Sequence, residues 1–367
     1  MDTKLQKLHR HLDAITKFLS PLLPLANCHM VDFITNNHWK LIPDQLKNEL
    51  EKYPSNLSAL INSVRAHYLS VDNDICLSAD QFRSRIKSMG FPIRDEIHVK
   101  EFMSAKKSYE VRIYGGDGVL IKIFRVAHRH VVYLNSDLPG LHTCGNLGPD
   151  SLRLFTSRPS MAGLLNVPCC YHLLTEAVDD NIMWNAFDKN FSGAGKVEGF
   201  PMSSYMNGYQ LGRNARMLAA QSIDRVLQTK QLPDISLLYR AVLQVIIRAH
   251  LPNSTLVEGK LKRISKKAAN FLDYFKKADA ILNLGLDSLS DRYLTEIYDT
   301  CQLEWKNMTL FYLVKLCLSQ VIECCILLDR LLFLYENGCE NAFLVKIFDA
   351  AASPRCHAIV QQLVYVF

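Results

Sequence analysis

Two short polar clusters carry the residue types in this chain best suited to chemistry. They are His142-Thr143-Cys144-Gly145-Asn146 and Cys169-Cys170-Tyr171-His172. Together they supply imidazoles, thiols, a hydroxyl, an amide and a phenol, which can move protons, attack carbon or hold a ligand. Thiols and imidazoles are also soft metal ligands. The spacings HxC and CCxH, however, depart from the usual CxxC and HxxxH pairs, and adjacent cysteines on an extended chain point to opposite sides. No metal is therefore expected. A low-pKa cysteine beside a histidine would allow nucleophilic catalysis, although a buried, inert thiol is the commoner fate.

The elements around the clusters suggest how they are positioned. Each cluster follows a short apolar run, and Ser151 to Phe155 between them suits a short helix. Strand, helix, strand is the unit of an open parallel sheet, whose ligands bind beyond the carboxyl ends of the strands. The two clusters are thus expected to face one crevice.

The wording of these segments resembles a known family. LPGLHTCGNLG, NVPCCYHLLTE, GFPMSSYMNGYQLGRNARMLAAQS (Gly199 to Ser222) and ILLDRLLFLYENG (Ile326 to Gly338) are similar to the methyltransferase-like protein 25 family, which includes the ribosomal RNA adenine dimethylase domain-containing protein. MVDFITNNHWKLIP (Met30 to Pro43) and FMSAKKSYEV (Phe102 to Val111) extend the likeness towards the front, with Ala105 where the family's MSPKK motif has proline. The resemblance implies a Rossmann-like domain using S-adenosylmethionine, introduced after that motif by an acidic glycine-rich turn. Placed at the floor of the expected crevice, His142, Cys144, Asn146 and Tyr171 are read as candidate catalytic residues, with Thr143, Cys169, Cys170 and His172 as candidate substrate-binding residues. In that reading Asn146 holds the methyl acceptor, His142 takes its proton, and Tyr171 stacks on a base or covers the sulfonium. The alternative is that these side chains only satisfy strand ends and turns.

The family's cofactor turn is not found in this sequence. Only 29 residues separate Glu110 from Gly140, whereas three strands with their crossovers need roughly 90. Tyr114-Gly115-Gly116-Asp117-Gly118 does not replace the turn, because β-branched and aromatic residues follow it rather than a helix. It reads as the turn of a β-hairpin over about residues 109–124. Phe191 to Val197 lacks the full phosphate-loop pattern and reads as a surface loop. S-adenosylmethionine binding by this chain is therefore expected to be weak or absent.

Length and composition bound the rest. With 367 residues, 49% of them hydrophobic, the chain can bury a sizeable core and is not disordered. A net charge of +6 permits a polyanionic partner without requiring one. Lys260, Lys262, Arg263, Lys266 and Lys267 form the densest basic stretch, read as a solvated face or an RNA contact. Eleven scattered cysteines suit reduced thiols in cytoplasm or nucleus. Lys315, Glu323, Asp329 and Arg330 interrupt the most apolar region, so no membrane span is expected.

The predicted fold is α/β and mostly helical. An N-terminal helical region (1–100) precedes an incomplete Rossmann-like methyltransferase segment (101–205), and a C-terminal helical region (206–367) completes the domain. Leu5, Leu8, Leu12, Ile15 and Leu19 mark an amphipathic first helix, and Gly338 marks the end of a long last one. Residues 358–367 read as a strand. By resemblance the function is methyl transfer; the alternative is a non-catalytic helical interaction protein, either a shortened isoform or an incomplete gene model.

Overall fold

The computed structural model describes residues 3–52, 61–88, 137–177, 198–252 and 268–362 apart from a few single positions, together with 261 and 264. The expected hairpin near 109–124, the Phe191 to Val197 loop and the basic residues Lys260, Lys262, Arg263, Lys266 and Lys267 lie outside the described residues.

In chain order the helices and strands are α1 (Lys4–Leu19), α2 (Leu23–Asn27), α3 (Asp44–Lys52), β1 (Cys76–Ser78), α4 (Ala79–Ser88), β2 (Asp137–Cys144), α5 (Leu147–Ser157) and β3 (Gly163–Cys169). They continue as α6 (Arg213–Leu218), α7 (Ile223–Thr229), α8 (Ser236–His250), α9 (Phe271–Leu282), α10 (Asp291–Gln302), α11 (Trp305–Cys317), α12 (Ser319–Glu336), β4 (Phe343–Lys346) and β5 (His357–Gln362). The expected α/β, mostly helical architecture is borne out. The strands form one mixed sheet, ordered β1-β4-β5-β3-β2, consistent with a Rossmann-like arrangement.

The chain divides into two compact units, one made of residues 1–23, 61–229 and 317–367, the other of 24–60 and 230–316. This differs from three consecutive segments. The sheet takes β1 from before the central strands and β4 and β5 from the last part of the chain, and such non-local pairing leaves no mark on local sequence patterns.

In the first unit β3, paired with β2 on one side and β5 on the other, is buried at all seven of its positions. Strands buried on both faces read as near-continuous apolar runs, as Gly163 to Cys169 does apart from Asn166. On one face Leu165, Val167, Val345, Ala358 and Val360 pack with Phe82 of α4. Among the helices of this unit, α12 packs against α1, α5 and α6, and most of its residues are buried. A helix that is apolar all round belongs inside a core. The region Trp305–Glu336 is long and apolar enough to cross a membrane, but 83% of its most apolar window is buried within the protein.

The first helix follows its sequence pattern. Leu8, Leu12, Ile15 and Leu19 are buried, and Thr3 and Gln6 form a reciprocal capping box. Leu5, expected in the core, is 40% exposed because it lies in the first turn. Gly338 follows α12 with φ +81, as a helix-ending glycine should.

The second unit is helical. Here α8 packs on α9 and α10, with Tyr239, Phe271, Tyr274 and Tyr298 in mutual ring contact. Lys315 is buried and donates to the Cys28 carbonyl, and burial pushes its pKa down to about 8.

One buried acid in the first unit makes a testable signature. Asp329 is fully buried and accepts from Met202 N (2.7 Å), Ser203 N (2.9 Å) and Ser203 Oγ (2.6 Å). Burial outweighs these donors and pushes its carboxyl up to about 6 from 3.8. Between those values the folded chain holds a proton that the unfolded chain has lost, so stability falls as pH rises from about 4 to 6. The loss is on the order of 3 kcal/mol. Chemical denaturation at a series of pH values should show this slope in the parent protein and a flattened one in Asp329→Asn.

Candidate functional site

Strands β2 and β3 are parallel neighbours, and their last residues, Cys144 and Cys169, stand opposite each other in register. The two polar clusters therefore leave the sheet side by side at its carboxyl end. A register shift between Leu141 and Thr143 marks a bulge at the end of β2, a device that re-aims side chains. The side chain of His142 lies outside the described residues.

Beyond β2 the chain turns at Gly145, whose φ of +53 suits glycine. A Cβ there would come within 2.7 Å of Leu173 Cβ, so the absent side chain lets the two post-strand turns touch. Thr143 is buried, its hydroxyl 3.1 Å from Asn166 Oδ1 and 3.2 Å from the Val167 carbonyl. It ties β2 to β3.

Asn146 joins three segments. Its Nδ2 donates to Thr175 Oγ1 at 2.9 Å and its Oδ1 accepts from Thr175 N at 3.0 Å. Gly199 N in turn donates to Thr175 Oγ1 at 3.0 Å. Both ends of the Asn146 amide are thus engaged within the protein.

After Cys169 the backbone changes hand. Cys170 has φ +47, a left-handed conformation that costs an L-residue about 1–2 kcal/mol, and a 3₁₀ turn, Tyr171–Leu173, follows. The expected divergence of adjacent cysteines holds only for an extended chain. Here the Sγ atoms of Cys144, Cys169 and Cys170 all lie within 4.8 Å of one another, and Cys144 and Cys169 are 3.0 Å apart. Cys144 is exposed, Cys170 half-buried and Cys169 buried. Burial and the neighbouring thiols push the pKa of Cys169 and Cys170 upward, so these are ordinary protonated thiols at neutral pH.

Tyr171, expected to face a ligand, is completely buried. Its hydroxyl donates to Glu323 Oε1 at 2.9 Å and the Arg330 guanidinium lies 5.9 Å from its ring centroid. No face of the ring is left for a base or a sulfonium in this arrangement. His172 is half-buried, and its buried Nδ1 has no hydrogen-bond partner among the described residues. Burial, with Arg213, Arg216 and Arg355 nearby, pushes its pKa down and favours a neutral imidazole. The structure thus brings Cys144, Cys169, Cys170 and His172 to one end of the sheet, commits Thr143 and Asn146 to holding it together, and places Tyr171 in the core.

Several supporting residues were not anticipated from sequence. Glu176 and Arg216 form a fully buried ion pair (3.3 Å), and Glu176 also accepts from Leu211 N (3.1 Å) and Gly212 N (2.8 Å). Arg216 donates to the Leu174 carbonyl, fixing the segment after the second cluster. Arg330 presses on the first turn of α5, where a Cβ on Gly148 would stand 3.1 Å from its Nη1. The available signal was the set of charges inside an apolar helix, Glu323, Asp329 and Arg330, which sequence showed only as interruptions.

Residues 94–177 match a family model described as "Methyltransferase domain". "Probable methyltransferase-like protein 25" of Mus musculus and of Homo sapiens are each 37% identical over 224 residues, 60% of this chain and 36% of the relative. The matched part therefore spans little more than a third of those relatives. No solved structure matches the chain.

A glycine in this region should be sensitive to substitution. A Cβ on Gly199 would fall 2.1 Å from Asn146 Oδ1, so Gly199→Ala should cost about 1–3 kcal/mol by overpacking. Removing the obstructing amide should relieve it. Urea denaturation of Gly199→Ala, Asn146→Ala and the double variant should give a double loss smaller than the sum by at least about 0.5 kcal/mol; strict additivity would contradict the clamp. These matches bear out the resemblance read from the sequence: the chain is similar to methyltransferase-like protein 25 and carries a segment that matches a methyltransferase domain.

Proposed function

We propose that this chain carries the acceptor-side wall of an S-adenosylmethionine-dependent methyltransferase domain. The observation that carries this reading is the register of β2 and β3, which sets two polar clusters at adjacent strand ends inside the residues that match a methyltransferase domain. Ligands of open α/β sheets bind at such ends. Methyl transfer needs an acceptor lone pair aligned with the methyl group and little covalent chemistry from the protein. A neutral imidazole at His172 can accept the proton that the acceptor releases, while Cys144 and Cys170 line the approach. The acceptor is an RNA, a protein or a small molecule.

Methyltransferase domains as a class use S-adenosylmethionine, but the residues described here do not fit it. Such a site needs backbone amides at a strand-to-helix turn, with an acid near the donor's ribose. Among the described residues, β1 passes straight into α4 through Ser78 and Ala79, without glycine. There Ser78 N donates to Gln81 Oε1 (2.7 Å) and Gln81 N to Ser78 Oγ (3.0 Å), which occupies these amides. The turn after β2 has Gly145 and Gly148, and its acid, Asp150, is exposed and paired with Arg153 at 3.2 Å.

The short span between Glu110 and Gly140 favours a second reading, a non-catalytic helical interaction protein. Titration calorimetry separates the readings. Weak or absent binding of S-adenosylmethionine is the expected result, and micromolar affinity would show that the cofactor wall is complete. Methylation of any supplied RNA or protein by this chain alone would exclude the non-catalytic reading.

A further inference from the structure

We propose that Cys144, Cys169 and Cys170 form a three-thiolate site for one thiophilic divalent metal ion, best matched by zinc, with a fourth position open to water or a substrate donor atom. Zinc takes thiolates at about 2.3 Å in a tetrahedral array, which sets sulfur atoms about 3.8 Å apart. The three Sγ atoms here lie within 4.8 Å of one another, with Cys144 and Cys169 at 3.0 Å, so adjustments of about an ångström reach that geometry.

The backbone supports a role for the third thiol. Had β3 continued, Cys170 would have pointed away from Cys169. The left-handed turn at Cys170, a conformation that glycine or asparagine adopts with less strain, brings its thiol to the other two. A simple disulfide between Cys144 and Cys169 would have no use for it. Two of the ligands sit at the ends of paired strands, which hold them more firmly than a loop would.

Burial and charge agree with this assignment. The cluster grades from buried Cys169 through half-buried Cys170 to exposed Cys144, so an ion enters from solvent and its free position faces the same side. Three-ligand sites of this kind keep an open position. Zinc with three thiolates carries one net negative charge. Arg355 lies near enough to act electrostatically on Cys170, and its buried Nε has no hydrogen-bond partner among the described residues. It is placed to offset that charge from outside the ligand shell. On binding, three S–H bonds break, three zinc–sulfur bonds form, three protons pass to solvent, and no electron moves.

The test uses the full chain, stripped with a chelator and kept reduced by a phosphine. Zinc is titrated in competition with a chromophoric chelator, and cobalt is substituted to reveal the thiolate charge-transfer band. The expected result is one tight equivalent in the parent protein and in Cys339→Ser, a thiol outside the cluster. Cys144→Ser and Cys170→Asn should lose the cobalt band and weaken zinc by more than the roughly tenfold cost of losing an outer-shell partner. Asparagine keeps the left-handed backbone, and metal-free urea melts matching the parent would show that both variants fold. Zinc should also shield Cys144 and Cys170 from alkylation, as mapped by mass spectrometry. Absence of a tight equivalent in the reduced parent, or undiminished binding in Cys170→Asn, would overturn the site. Ready formation of a Cys144–Cys169 disulfide with no zinc uptake by the reduced chain would do so too. The readout is metal and not activity, so the outcome is independent of the methyl-transfer reading.

Discussion

Parallel strands that run in register end at the same level, and the pairing of β2 with β3 makes everything at this site possible. Cys144 opposite Cys169 brings together two clusters that the chain separates by more than twenty residues. The pairing is secured from both sides of the strands. Thr143 and Asn166 tie them within the core, while the apolar face of β3 packs with β4, β5 and α4. A slip of one residue would turn each side chain to the opposite face and carry the Thr143 hydroxyl away from Asn166 and Val167.

Around that pairing the protein uses buried polar groups as fasteners. Glu323 holds Tyr171, Asp329 holds Met202 and Ser203, and the Glu176–Arg216 pair holds the chain at Leu174, Leu211 and Gly212. A buried charge is costly unless it is bonded, and each of these acids accepts hydrogen bonds from segments remote in sequence. Removing either partner leaves the other buried and unsatisfied. The loops near the strand ends are therefore held by directional bonds, where apolar packing alone would allow them to drift.

Much of this was legible in the sequence because it is local. The 3.6-residue spacing of Leu8, Leu12, Ile15 and Leu19 marks α1 as clearly as its capping box does, and the apolar run before each cluster marks β2 and β3. The family likeness includes the two strand segments, though not α1, and agrees with the matched relatives. Short elements were harder. Cys76–Ser78 and Phe343–Lys346 are too brief to show an alternation, and they become strands through the neighbours that pair with them.

By itself the sequence determined the helical periods, the strand-helix-strand order around Gly140 to Leu174 and the residue types gathered at the strand ends, because each depends on neighbours a few positions away. Tertiary structure alone decided that Tyr171 is a core residue, that the Asn146 amide is spent on Thr175, and that three thiols converge. Those outcomes depend on a left-handed turn at Cys170 and on partners as distant as Glu323. Contacts between remote parts of a chain are set by packing and hydrogen bonding of the whole, and no local pattern encodes them.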